Sequence, residues 1–445
     1  MALTGLQIFK LLPKTNCKDC GQPTCLAFAM ALESSKTSLD KCPHVSEEAK
    51  ETLGGAAAPP IKLVKAGKGS KERELGDETV LFRHEKTFFH PTCLAVEISD
   101  NLSGADIDAK IEKINGLVFE RVGQTVSIDL ATVKNDSGNA DAFADAAKAV
   151  AEKCSFAPVL MSEDTAAMEK ALEAAGDTNP LIYAATEDNY EKMTELAKKY
   201  SCSLVVKGNG LEATAALVEK VASSYKELVI DVGTRELSQA VAEITQTRRL
   251  SIKKKFRPLG YPVIALAASG NSMDEIVEAS SYISKYASVV VIKSDEKAQI
   301  LPLMAWRMNL YTDPQKPSQV EPKVYKIGDA KKDSPVYVTT NFSLTYYTVE
   351  GEISASKIPS HIIACPTDGT SVLTAWAAGK FTGDKVAEFV KQCGIEDMVD
   401  HRNIVIPGYV AVIKGGLEEK SGWKVMVGPA EASGLPAFAK SNFGK

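Results

Sequence analysis

The stretch SLVVKGNGLEATAALVEKVASSYKELVID, residues 203–231, holds one complete strand–helix–strand repeat. Its two apolar runs, Ser203–Val206 and Leu228–Asp231, show no polar alternation and so read as strands buried on both faces. Between them Glu212–Ala222 is alanine-rich and carries helical spacing. Two parallel strands need such a crossover, because a tight turn cannot join them. The alternation continues outward from this repeat. Strand-like runs precede it at Leu94–Ile98, Val126–Leu130, Pro158–Met161 and Leu181–Ala185, and follow it at Val263–Ala267 and Ser288–Ile292. Ala140–Ala151 and Met273–Ser284 repeat the helical pattern. Eight strands, each followed by a helix, over roughly 230 residues match a (β/α)8 TIM barrel. An open doubly wound sheet is the runner-up, since a strand count does not establish closure.

A barrel carries its active site at the C-terminal strand ends. Asp100, Glu187, Asp188, Asp231 and Ser269 fall there, but they form no sharp constellation, and no histidine occurs between His90 and His361. No catalytic residue is assigned, and the barrel reads as a scaffold. Gly208-Asn209-Gly210 reads as a turn. The basic run Arg248, Arg249, Lys253, Lys254, Lys255 and Arg257 reads as a solvated helix end or a docking patch for a partner.

Ahead of the barrel, Cys17, Cys20, Cys25 and Cys42 follow the pattern C-x2-C-x4-C-x16-C, whereas the other five cysteines are scattered over the remaining 403 residues. Three soft partners compete for such a set. A disulfide framework belongs to small secreted domains, and no signal peptide precedes this segment. Structural zinc usually takes two short paired knuckles. Three thiols from one loop with a distant Cys42-Pro43 suit a single [4Fe-4S] cubane, each iron taking one thiolate. Zinc remains the alternative. Gly21 permits tight wrapping, Pro23 marks a helix start, and Leu26–Leu32 continues that helix. Its positive end then faces an anionic cluster. Val45–Leu53 reads as a second helix of a module over residues 1–56. Residues 57–88, polar from Lys65 to Asp77, read as a flexible linker, so the module is expected to be tethered and mobile. Gly67-Lys68-Gly69-Ser70 lacks the glycine and hydroxyl spacing of a phosphate loop.

The chain has 445 residues, with 44% hydrophobic and 24% charged content and a net charge of −5. It is long enough for several domains, and its charge argues against nucleic-acid binding. No apolar run approaches the ~18 residues of a membrane span and no lipidation motif is present. Cys93, Cys154, Cys202, Cys365 and Cys393 are isolated and read as small buried hydrophobes in a reducing compartment, so the protein is expected in the cytoplasm.

After the barrel (89–324) the pattern changes, and residues 325–445 read as a Rossmann-like α/β unit. Pro335–Thr340, Tyr346–Val349, His361–Cys365, Ile404–Ile406 and Lys424–Val427 are strand-like, and a helix passes through Val372, Leu373, Ala375 and Trp376. The loops Pro366-Thr367-Asp368-Gly369-Thr370-Ser371 and Gly428–Gly434 are rich in small residues. They suit a large amide-rich ligand or a phosphate at a helix N-terminus. Ordinary loop chemistry explains them equally well.

With cysteine motif, barrel and terminal α/β unit in this order, the chain resembles, over its whole length, the large (gamma) subunits of the corrinoid iron–sulfur proteins of the acetyl-CoA (Wood–Ljungdahl) pathway. Cys17, Cys20, Cys25, Cys42 and the segment Thr367–Ser371 carry the resemblance. It implies an N-terminal [4Fe-4S] module, a middle barrel, a C-terminal cobamide domain, and a small (delta) barrel subunit over the cofactor's other face. The implied function is methyl carriage. Cob(I)amide would accept a methyl group from methyltetrahydrofolate (methyltetrahydropterin in archaeal relatives) on a separate methyltransferase, and donate it to acetyl-CoA synthase/CO dehydrogenase. The cluster would return Co(II) to Co(I). The class would be methyltransferase if such a carrier counts as an enzyme. An electron-transfer protein whose barrel only docks partners is the alternative. The resemblance places Thr370, Ser371, Val372, Leu373 and Thr374 nearest the corrin, and Thr340, Tyr346, Ala432 and Ser433 around its side chains and tail. The D-x-H-x-x-G signature that gives histidine to cobalt in other corrinoid proteins is absent: His361 lacks the preceding aspartate, and His401 follows Asp400 at the wrong spacing. A base-off cobamide without a protein ligand is therefore expected.

Overall fold

A computed structural model describes residues 5–33, 37, 39–46, 49, 59–83, 85, 88, 90–267, 269–312 and 317–444. The chain divides into two compact units, one of residues 1–119 with 126–311 and one of residues 120–125 with 312–445.

In the first unit, helices Gly5–Leu11 and Cys25–Glu33 bury Ile8, Phe28, Ala29 and Leu32 against Leu39, Cys42 and Val45. The core is small, and two of its members are thiols of the ligand motif. Most of the helix expected over Val45–Leu53, and residues 54–58 of the glycine–proline stretch, lie outside the described residues.

The segment read as a flexible linker is different where it is described. Strands β1 (Val64–Ala66) and β2 (Arg73–Leu75) form an antiparallel hairpin. Its few apolar side chains, Val64, Ala66 and Leu75, are fully buried in the core inside the barrel. A hairpin needs only alternate residues to be apolar, so the polar content of Lys65–Asp77 was a misleading signal. The basic run is corrected in part: Arg249, Lys253 and Lys254 are exposed, as a solvated helix end requires, but Arg248, Lys255 and Arg257 are engaged. Arg248 is 6% exposed. Its guanidinium pairs with Glu78, donates to Val80 O at 2.7 Å and Leu81 O at 3.1 Å, and lies against the rings of both Phe88 and Tyr286. Arg257 donates to Pro59 O at 3.1 Å and Lys255 to Glu33 O at 3.0 Å. These cations hold N-terminal segments to the barrel.

The eight barrel strands are β3 (Cys93–Ser99), β6 (Leu130–Lys134), β7 (Ala157–Met161), β8 (Leu181–Ala185), β9 (Ser203–Lys207), β10 (Leu228–Asp231), β11 (Ile264–Leu266) and β12 (Val289–Ile292). All pair in parallel, in chain order from β3 to β10, with β12 and then β11 on the other side of β3. The edges approach at the parallel bridge Ile230–Val263, where Ile230 N–H donates to Pro262 O at 2.8 Å. The sheet is therefore a nearly closed barrel rather than an open one. Val159, Val205, Val229 and Val289 fill its interior, and eight helices cover it, from Gly104–Asn115 to Lys297–Tyr311. The second strand is shifted from its expected place. A short hairpin, β4 (Val118–Arg121) and β5 (Gln124–Ser127), precedes Asp129. Asp129 Oδ2 accepts from Leu94 N–H at 3.0 Å and pairs with Arg307, which interrupts the run before Leu130.

In the second unit a five-stranded sheet has the order β13 (Val324–Ile327), β15 (Ser360–Cys365), β14 (Val336–Thr340), β16 (Asn403–Ile406) and β17 (Lys424–Val427), with only β13 antiparallel. Tyr346–Val349, read as a strand, lies in helix Ser343–Ser356. The parallel strands leave β14 in opposite directions, to β15 on one side and β16 on the other. That reversal is a topological switch point, where open α/β sheets open a crevice at the carboxyl ends of the strands.

Candidate cofactor sites

The first site is built by two loops of the N-terminal module. Lys14, Asn16, Lys18 and Gly21 all have positive φ, so the loop coils tightly before the helix that opens at Cys25. Asn16 ties the coil shut: its Oδ1 accepts from Cys25 N–H at 2.8 Å, and its own N–H points at Cys25 Sγ at 3.4 Å. Thr24 caps the helix, its hydroxyl accepting from Ala27 N–H at 3.0 Å. The second loop turns at Cys42, whose N–H donates to Leu39 O. His44 Nε2 and Asp19 Oδ2, 2.7 Å apart, join the two loops, and ligand atoms of Cys17, Asp19 and His44 lie within 4.8 Å of one another.

Burial pushes the Cys42 thiol up, and the neighbouring Cys20, Cys17 and Cys25 thiols push it further. The four thiols thus share one electrostatic neighbourhood. A cationic iron or zinc centre stabilises cysteine ligands as thiolates. Cys25 and Cys42 are buried, Cys20 is partly buried and Cys17 is exposed. An all-sulfur set fits a soft metal centre and sets aside hard oxygen-seeking cations.

The second site is a cleft of ≈ 350 Å³ in the C-terminal unit, at the carboxyl ends of β14, β16 and β17. Its floor includes Tyr337 and Thr339. Their side chains are 3% and 1% exposed, yet neither hydroxyl has a partner. An unsatisfied buried hydroxyl costs about 1–3 kcal/mol, so two at one cleft point to a polar occupant. Gly408 lets the loops after β16 and β17 meet behind the site: a Cβ there would stand 2.7 Å from Ala430 N and Gly428 O. Exposed Leu344, Leu373 and Tyr409 form an apolar rim. The fit to a cobamide rests on this combination, an open apolar rim for a flat macrocycle above hydroxyls unmet by the protein.

The expected corrin contacts divide. Ser371, Val372, Leu373 and Ala432 line the cleft. Thr370 turns its hydroxyl back to Thr367 O at 2.6 Å, and Thr374 Oγ1 meets Ser371 Oγ at 3.0 Å. Thr340 is fully buried at the end of β14 with an unpartnered hydroxyl, and Ser433 is exposed beside Ala432. Tyr346 belongs elsewhere, 4% exposed and packed on Tyr325 in the core under its helix. Sequence reading missed Tyr337, Thr339, Thr345, Thr348 and Tyr409. It also missed Asn341, which holds the 366–371 loop. Its Oδ1 accepts from Thr367 N–H and Oγ1 at 2.9 Å and from Gly369 N–H at 3.2 Å. An asparagine just past a strand end was the available signal. His361 and His401 lie at the opposite ends of β15 and β16, with Nε2 atoms on Lys331 O and Ser334 O.

Most of the barrel-mouth candidates serve local structure. Asp100 accepts from Ser137 N–H and Oγ, Glu187 pairs with Lys220, and Ser269 N–H donates to Glu278. Asp231 is held by Tyr183 OH at 2.8 Å, Arg235 at 2.7 Å and Gly233 N–H at 2.8 Å. Asp188 is exposed. No helix among the described residues is long and apolar enough to cross a membrane.

A four-cysteine site and a switch-point cleft on one barrel-bearing chain define a two-site, cofactor-carrying α/β protein. A family model described as "CO dehydrogenase/acetyl-CoA synthase delta subunit" matches residues 63–439, and one described as "Putative Fe-S cluster" matches residues 12–44. The chain is 54% identical over 99% of both lengths to the corrinoid/iron–sulfur protein large subunit of Moorella thermoacetica. It is 35% identical, over 98% of both lengths, to the acetyl-CoA decarbonylase/synthase complex subunit gamma of Methanothermobacter thermautotrophicus. The corresponding subunit of Methanopyrus kandleri is 34% identical over 98% of this chain and 97% of its own. The chain belongs to the family of corrinoid/iron–sulfur protein large subunits of the acetyl-CoA pathway.

Proposed function

We propose that the chain is the large subunit of a methyl carrier, with a [4Fe-4S] cluster on Cys17, Cys20, Cys25 and Cys42 and a cobamide in the C-terminal cleft. When bound, the cobamide supplies a cobalt nucleophile that takes a methyl group from methyltetrahydrofolate on a methyltransferase and yields it to acetyl-CoA synthase, and the cluster supplies the electron that restores oxidised cobalt. The observation that carries the reading is the cleft itself, with the unmet Tyr337 and Thr339 hydroxyls at a switch point.

The residues then have distinct tasks. Tyr337, Thr339 and Thr340 offer hydroxyls to the cofactor's amides and tail. The Asn341-anchored loop presents Ser371, Val372 and Leu373, with Thr370 and Thr374 setting its conformation; Ala432 and Ser433 border the tail. Tyr346 acts from behind, by packing the helix that carries Leu344, Thr345 and Thr348. Among the described residues no histidine lines the cleft, which supports a base-off corrin without a protein ligand. The apolar rim suits the small (delta) subunit as a cover. The compartment proposed is the cytoplasm.

The test uses the heterodimer purified anaerobically with its small subunit. Labelled methyltetrahydrofolate and the methyltransferase should transfer label to the corrinoid protein. Cys20→Ala should abolish reductive reactivation of oxidised cobalt while leaving transfer from already reduced cobalt intact. Label that never reaches the protein, or a colourless zinc-loaded chain, contradicts the proposal. A brown chain without cobalt would instead leave an electron-transfer protein.

A further inference from the structure

Among the described residues that line the C-terminal cleft, one side chain is charged, Glu431, and none is a lysine, arginine or histidine. Glu431 follows β17, and its Oε1 accepts from the hydroxyl of Tyr409, which follows β16. That bond is not needed to join the two loops. Gly428 N–H already donates to Ile406 O at 2.9 Å and Gly408 N–H to Pro429 O at 3.0 Å. The carboxylate is thus displayed on a hydrogen-bonded backbone, at a rim otherwise made of apolar and hydroxyl side chains. Among the described residues it has no ion-pair partner, and its Oε2 has no partner at all. Other carboxylates of the same unit do find cations: Asp368 pairs with Lys380 at 3.0 Å and Asp400 with Lys332 at 3.5 Å.

From this juxtaposition we infer that Glu431 reads the amidation of the corrin ring, admitting the fully amidated macrocycle and rejecting corrinoids that still carry carboxylates. The inference rests on the proposal that this cleft holds the cobamide. The complete ring is edged by acetamide and propionamide groups, each ending in an NH2 donor. An ionised carboxylate only accepts, so Glu431 meets an amide with a hydrogen bond and a second carboxylate with repulsion. The Tyr337 and Thr339 hydroxyls can donate or accept, so they serve either ligand and do not choose between them. No cation in the lining offsets the repulsion, and a macrocycle over the cleft keeps water and salt from screening it. Such a site selects its ligand by an unpaired charge set against the wrong one as well as by contacts to the right one.

The experiment measures corrinoid binding by equilibrium dialysis to the intact heterodimer produced without corrinoid. Beside a complete cobamide, two ligands without a nucleotide tail are compared: cobinamide, whose ring side chains are all amides, and cobyrinic acid, whose ring side chains are all carboxylates. Wild type should bind cobinamide about tenfold or more tightly than cobyrinic acid. Glu431→Gln keeps a hydrogen-bond acceptor and removes the charge. It should cut that preference about fivefold or more, chiefly through tighter binding of cobyrinic acid. Glu419→Gln removes the same charge from an exposed position of helix Lys414–Ser421, outside the cleft lining, and should leave the preference as in wild type. An unchanged preference in Glu431→Gln overturns the inference, as does an equal narrowing in Glu419→Gln, which would mark net charge alone. Loss of both tail-free ligands in Glu431→Gln would mark a structural effect and overturns it too. Wild type that binds the two equally, or that binds the cobamide but neither of them, overturns it and leaves the cleft reading intact. Wild type that binds none of the three overturns the cleft reading beneath it.

Discussion

Thr339 shows how one side chain can report on a ligand. Its hydroxyl is buried at the cleft without a partner, so Thr339→Val removes a desolvated group from the empty protein and a hydrogen bond from the loaded one. The ligand-free protein should be unchanged or stabilised by about 1 kcal/mol, and cobamide retention should weaken about tenfold. Thermal denaturation and equilibrium dialysis check the two signs; a parallel loss in both would mean that Thr339 only packs. His361 gives a pH-dependent counterpart. Burial holds its imidazole below the usual histidine range, helped by Lys326 and His401 and opposed by the hydrogen bond with Lys331 O. Below about pH 6.5 the unfolded chain takes up a proton that the folded one refuses. Stability from this group is therefore complete above that pH and is lost as pH falls toward the depressed folded value. Urea midpoints should decline across that window in wild type and decline less in His361→Phe; superimposable curves contradict the assignment.

At the scale of elements, Arg248 is the buried one among the cations that hold the segment before the barrel. Arg248→Met would strip Glu78 of its partner inside the protein and leave Val80 O and Leu81 O without a donor, at a cost of about 3–5 kcal/mol. Denaturant unfolding should show that loss, with partial recovery in the double variant carrying Glu78→Gln; a change below about 1 kcal/mol would place the latch at the surface. The same element shows where reading failed. Each polar residue of Lys65–Asp77 looked like linker, because three buried side chains are enough to seat a hairpin. Helix Ser343–Ser356 was masked by its strand-formers Thr345, Tyr346, Tyr347, Thr348 and Val349. Its buried positions Ser343, Tyr346, Ile353 and Ser356 are helically spaced, but two are serines, so no apolar stripe showed. Tertiary packing of Tyr346 on Tyr325 outweighed local preference. By contrast, seven of eight barrel strands were legible, because strands buried on both faces leave continuous apolar runs. The cysteine motif was legible because thiols are rare and its spacing is chemical. Tyr337 and Thr339 were not, since a hydroxyl in a strand looks the same whether it is satisfied or orphaned.

For the whole molecule, the barrel carries strand-end carboxylates that are largely engaged locally, while both candidate cofactor sites lie outside it. The chain thus reads as a scaffold with a redox centre near one terminus and a macrocycle cleft near the other. Elemental and acid-labile sulfide analysis of the anaerobically purified heterodimer tests this most directly. The account predicts about four iron and four sulfide per large subunit, with about one cobalt per heterodimer. Both metals should be lost separately, iron in Cys25→Ala and cobalt in a variant that fills the cleft at Leu373. Zinc in place of iron, or iron and sulfide without cobalt under any growth condition, would contradict it.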